Sequence, residues 1–176
     1  MTSLMRRISL VMLVFGLCLN TVLACLDEGR VTVLKENKSV YTMRMESGRE
    51  YTMIGKKHPL LPIVKNSIKY GRDICITNMT ENYPIQIVAA FRDFDGPSIF
   101  SENCVKKSFI RKVYVNPKYN WFLLEDNFVL RVIHRSKVTP KLYEAAFAKK
   151  EVCITEMNLE ATDGTWGIPR DLEIAP

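Results

Sequence analysis

The chain has 176 residues, 47% of them hydrophobic and 25% charged, with 25 Lys and Arg against 19 Asp and Glu. Its only long apolar run, residues 8–19, falls short of the roughly 20 apolar residues that a spanning helix needs, which argues against a multi-span membrane protein. A basic excess of +6 names no partner class by itself.

The first segment reads as a secretory signal peptide over residues 1–24: Arg6 and Arg7, the apolar run, then Val22-Leu23-Ala24 with small residues at the cleavage positions. Cleavage after Ala24 removes both arginines and leaves 23 basic residues against 19 acidic ones, a net charge of about +4. The expected compartment is secreted or periplasmic. Lipid anchoring through Cys25 is the minor alternative, because Val-Leu-Ala-Cys departs from the usual lipoprotein pattern.

Past the leader the chain reads as one unit written twice, since residues 62–95 align with 140–173 without a gap at an offset of 78. The clearest match sets Arg72-Asp73-Ile74-Cys75-Ile76-Thr77 against Lys150-Glu151-Val152-Cys153-Ile154-Thr155, and Arg92-Asp93-Phe94-Asp95 is matched with Arg170-Asp171-Leu172-Glu173. Boundaries follow at 25–97 and 104–176, with a linker at 98–103. Four cysteines remain after the leader and allow three connectivities. Cys25 precedes Cys75 by 50 residues and Cys104 precedes Cys153 by 49, so the duplication selects Cys25–Cys75 and Cys104–Cys153. Such bonds persist in an oxidising compartment.

In chain order, strands are expected at 30–35, 39–45 and 49–55, a helix from Pro62 to a stop at Gly71, and strands at 73–79 and 85–91. The second unit repeats this with strands at 109–115, 119–124 and 128–135, a helix over 141–150 and a strand at 151–157. Thr139 is placed to cap that helix, with Pro140 at its first position. The last segment, 163–169, contains two glycines and Trp166 and departs from its partner. The fold class is therefore α+β, a tandem duplication of a β-β-β-α-β-β unit with one disulfide per lobe. That order is the order of an OB-fold; a β-grasp-like or cystatin-like sheet fits the same string. Gly164-Thr165-Trp166-Gly167 resembles the Gly-X-Trp near the end of staphylococcal-nuclease-type enzymes, which implies the same fold. Their Asp-rich metal site and arginine pair have no matching motif, so the resemblance carries no activity.

The two histidines, His58 and His134, both fall between the third strand and the helix, beside Lys56-Lys57 and Arg135-Ser136-Lys137. Lys56, Lys57, His58, His134, Arg135 and Lys137 are thus the candidate binding residues, a twofold basic patch for an acidic partner, a phosphate or a glycan. Asp93, Asp95, Asp171 and Glu173 pair carboxylates at alternate positions, the arrangement a metal would use in an exported hydrolase or nuclease. A salt-bridged edge explains them as well. Tyr114, Tyr119, Trp121 and Phe122 cluster with Lys112 and Lys118 around a hairpin, as an interaction surface, a stacking platform or alternating core. Asn37-Lys38-Ser39 and Asn78-Met79-Thr80 are sequons that matter only in a eukaryotic secretory pathway.

No nucleophile elbow, phosphate loop or zinc motif occurs, and no metal or other cofactor is called for. The leading expectation is an exported, non-enzymatic binding protein acting through protein–protein contacts, such as an inhibitor, an immunity-type protein or an envelope-assembly component. The groove between lobes and the basic loops are its candidate surfaces. A hydrolase or nuclease and a polyanion or nucleic-acid binder are the alternatives.

Overall fold

The computed structural model describes residues 24–92, 100, 103–159 and 165–176. The expected leader, apart from Ala24, lies outside them, as do Asp93, Asp95, Gly164 and most of the 98–103 connection.

Short runs of alternating polarity give strands because their two faces meet different surroundings. In chain order these are β1 (Asp27–Gly29), β2 (Val31–Asn37), β3 (Val40–Met45), β4 (Glu50–Ile54), β5 (Ile74–Thr80) and β6 (Tyr83–Ala90), with α1 (Leu61–Tyr70) between β4 and β5. The second half has β7 (Lys106–Ser108), β8 (Ile110–Val115), β9 (Tyr119–Leu124), β10 (Val129–Ile133), α2 (Thr139–Ala148), β11 (Val152–Leu159) and β12 (Trp166–Ile174). In β3, Tyr41, Met43 and Met45 are buried and the residues between them face out; β9 buries Asn120, Phe122 and Leu124 in the same way. The chain is α+β, with two ten-residue helices among the described residues on a predominantly β framework. Among the described residues no helix is long and apolar enough to cross a membrane.

Four strands precede each helix, where three were expected. The additions, β1 and β7, read Asp-Glu-Gly and Lys-Lys-Ser and carry no hydrophobic period. Long-range pairing to β5 and β11 makes them strands.

In the second half β8, β9 and β10 form an antiparallel ribbon, β10 pairs in parallel with β12, and β12 runs antiparallel to β11. β11 then pairs with β7, the last strand of the sheet, which is followed in the chain by β8 after Phe109. The first half has the ribbon β2-β3-β4 and the ribbon β6-β5-β1, bridged where the Thr52 amide donates to the Asn82 carbonyl at 2.9 Å. β6 and β8 pair antiparallel over residues 87–90 and 112–115, which joins the halves through one sheet.

The disulfides are Cys25–Cys75 and Cys104–Cys153, as expected. Cys75 lies opposite Glu28 and Val88; Cys153 lies opposite Lys107 and Glu173, the corresponding places. Both cysteine strands are irregular at the same point, between Ile76 and Asn78 and between Ile154 and Glu156.

That register corrects the gapless alignment at its end. Leu172 faces Ile154 as Ile87 faces Ile76, and Asp171 faces Glu156 as Gln86 faces Asn78, so by strand register residues 170–173 take the places that 85–88 take, which differs from the expected match to 92–95. The connection before β12 is longer, and the offset grows from 78 to 85 across it. Gly167 follows from this course of β12: a Cβ there would come within 2.7 Å of Met157 Sδ and 3.0 Å of the Asn158 carbonyl.

Thr139 is not the cap of α2. Val138 holds that place, and the Thr139 hydroxyl donates to the Ile133 carbonyl at 3.0 Å. One contiguous core runs through both halves. Phe147 of α2 meets Phe91 edge-on at 5.0 Å between centroids and lies 6.5 Å from Tyr70 of α1, while Arg72 Nε donates to the Phe147 carbonyl at 3.4 Å.

Candidate functional site

Two loops lead from a strand into a helix, residues 55–60 in the first half and 134–138 in the second. They meet, with the β8–β9 turn, around a cavity of about 870 Å³. Its walls carry Lys56, Lys57, Lys65, Lys118 and Arg135, the imidazoles of His58 and His134, and, among the described residues, no Asp or Glu. Five of the six candidate basic residues therefore converge from opposite halves. Lys137 does not join them; it borders hollows beside Arg170. Lys65 and Lys118 were not among the sequence candidates. Lys65 lies on α1 and Lys118 in a turn read as part of an aromatic hairpin, and only the packing of the halves brings either to the cavity.

Pro59, Pro62 and Pro117 also line the cavity, and their fixed φ restricts the walls. His134 Nε2–H donates to the Asn116 carbonyl at 2.8 Å, which fixes the neutral tautomer and leaves Nδ1 buried with no hydrogen-bond partner among the described residues. His58 Nδ1 accepts from the Leu60 amide at 3.3 Å, so its neutral ring carries the proton on Nε2. Burial holds both imidazoles below their ordinary value; His134 adds to this for His58, and the Asn116 and Pro117 carbonyls oppose it for His134. The result is a cationic, acid-free cleft with two imidazoles poised to be neutral, suited to an anionic group.

The described carboxylates lie elsewhere. Asp171 is 3.7 Å from Lys141 Nζ and borders a separate hollow with Glu156, Lys137 and Arg170, while Glu173 is exposed on β12. Neither reaches His58 or His134, and among the described residues no group of three His, Cys, Asp or Glu side chains is placed to hold a metal.

The aromatic hairpin divides. Phe122 is core, edge-on to Tyr143 at 5.3 Å, whereas Tyr114, Tyr119 and Trp121 are half-buried on the outer face. There Arg131, which was not among the sequence candidates, lies over the rings of Trp166, Tyr119 and Trp121 at 4.2, 4.9 and 5.8 Å. The missed signal is its place on β10 directly opposite Trp121.

Compared with protein-family models, curated proteins and solved structures, the chain matches none.

Proposed function

We propose that this is an exported, non-enzymatic binding protein, of the inhibitor, immunity-type or envelope-assembly kind, which takes an acidic group of a protein partner into the cleft between two lobes. The observation that carries the reading is the acid-free cavity walled by five cations and two imidazoles drawn from both halves. Export is supported by Arg6, Arg7, the apolar run and the small residues before Cys25, together with two disulfides of the kind an oxidising compartment maintains. Cleavage after Ala24 rather than lipidation of Cys25 fits its bond to Cys75. Equal register at both disulfides supports a duplication with lobes at 25–97 and 104–176. The strand order β8-β9-β10-β12-β11-β7, with the helix between the third and fourth main strands in the chain, supports an OB-like lobe over a β-grasp-like or cystatin-like sheet.

The test compares co-purification from the native source by the parent protein and by the double variant Lys57→Glu, Arg135→Glu. One partner is expected with the parent, weakened by salt, and its recovery should fall at least tenfold with the variant. Equal recovery by both, or recovery of the protein alone together with turnover of a substrate, overturns the reading.

A further inference from the structure

Outside the cleft, the outer face of β8, β9, β10 and β12 carries an unusual set of side chains. Both tryptophans of the chain, Trp121 and Trp166, lie on it with Tyr114 and Tyr119. Tyr119 and Trp121 are edge to face with centroids 6.0 Å apart, and the Arg131 guanidinium lies over three of the rings. On either side of the Trp121–Arg131 row lies a hollow, of about 500 Å³ toward Lys112 and about 580 Å³ toward Lys137 and Arg170. Among the described residues neither is lined by Asp or Glu.

The fold does not require these rings. Trp121 faces Arg131 across β9 and β10 as Thr42 faces Thr52 across β3 and β4, and Leu123–Val129 takes the place of the ion-paired Arg44–Glu50. The first half closes the same ribbon with threonines. The aromatic set is therefore an addition to one half, turned toward solvent.

We propose that this face is a binding site for single-stranded nucleic acid, with bases stacking on Trp121, Trp166 and Arg131 and phosphates meeting Lys112, Lys137 and Arg170. Lys112, Lys137 and Arg170 beside the rings suit a polyanion, while Asp171, which with Glu156 lies next to Lys137 and Arg170, pairs with Lys141, and half-exposed rings interleaved with a guanidinium provide stacking platforms for successive bases. The guanidinium favours a base over a sugar. Its cationic plane attracts an electron-rich π face, whereas the C–H face of a pyranose presents weakly positive hydrogens. The site is separate from the cleft, although Ile133 borders both, and it stands without the protein-partner reading.

The disulfide-bonded protein is titrated with a twelve-residue oligothymidylate, following intrinsic tryptophan emission, which reports only on Trp121 and Trp166. Saturable quenching is expected, with affinity falling on the order of tenfold between 50 and 200 mM salt for two or three phosphate contacts. Anisotropy of a labelled oligonucleotide should show at least a tenfold loss for Trp121→Thr and for Arg131→Thr, each checked for an unchanged thermal melt. Lys112→Ala with Arg170→Ala should flatten the salt dependence. Absence of quenching overturns the site and leaves the cleft reading standing. Equal affinity for a duplex of the same length, or for polygalacturonate, overturns base stacking. Binding that Lys57→Glu with Arg135→Glu abolishes, and that Trp121→Thr and Arg131→Thr leave intact, assigns the nucleic acid to the cleft and overturns the proposal as well.

Discussion

His134 gives its Nε2 proton to the Asn116 carbonyl and keeps Nδ1 buried without a described partner, and burial disfavours the charged ring more than the Asn116 and Pro117 carbonyls favour it. His58 shares the cleft with five cations, and burial disfavours its charged form as well. An unfolded histidine titrates near 6.5, and both folded values lie lower. Below about pH 6.5 the unfolded chain takes up protons that the folded chain refuses, so stability falls with acidification until the pH passes the folded values, and neither ring contributes well above 6.5. The double variant His58→Gln, His134→Gln is therefore expected to lose less melting temperature between pH 7 and pH 5 than the parent. Equal losses in paired thermal melts would remove the imidazoles as the origin. The loop residues of the cleft were legible because basic side chains flanking a histidine recur at one place in the chain order. Lys65 and Lys118 were not, since Lys65 reads as an ordinary solvated cation and Lys118 as part of the aromatic hairpin until the halves pack.

α1 and α2 end in the same conformation with different residues. Gly71 lies at φ 60, ψ 38 and Lys149 at φ 55, ψ 42, and each is followed by a paired set of amide bonds back into the last turn. Glycine adopts this left-handed geometry freely, whereas a residue with a Cβ pays about 1–2 kcal/mol. Part of that gain is lost to the greater freedom of an unfolded glycine. Lys149→Gly should therefore stabilise the protein by about 0.5–1 kcal/mol, read as a higher urea midpoint at unchanged slope. A lower midpoint would show that the lysine stem contributes more than its backbone costs. The helices were legible because Pro62, Pro140 and Gly71 punctuate them. β1 and β7 were not, because three polar residues carry no period, and the last strand was misaligned because Arg-Asp-X-acid recurs at the expected spacing while the true register is set by irregular pairing in β5 and β11.

At the scale of the whole molecule, each disulfide lies within one half, closing loops of 50 and 49 residues, and neither holds the halves together. By chain entropy each contributes on the order of 4 kcal/mol, mainly by restricting its own unfolded half. The halves are joined instead by the β6–β8 pairing and by the packing of Phe147 against Tyr70 and Phe91, within a core that is continuous from Val31 to Leu172. A core shared in this way makes unfolding of one half expose the apolar surface of the other, so partly unfolded states are disfavoured. The oxidised protein should therefore unfold in one calorimetric transition, with a calorimetric to van't Hoff enthalpy ratio near one. The cleft depends on this, because its walls come from both halves and enclose about 870 Å³ only while the joint holds. A ratio near two, or two resolved transitions, would mean that the halves unfold separately. The cavity would then be a contact between independent lobes, and charge reversal on one wall could no longer be read as a change in a fixed binding site.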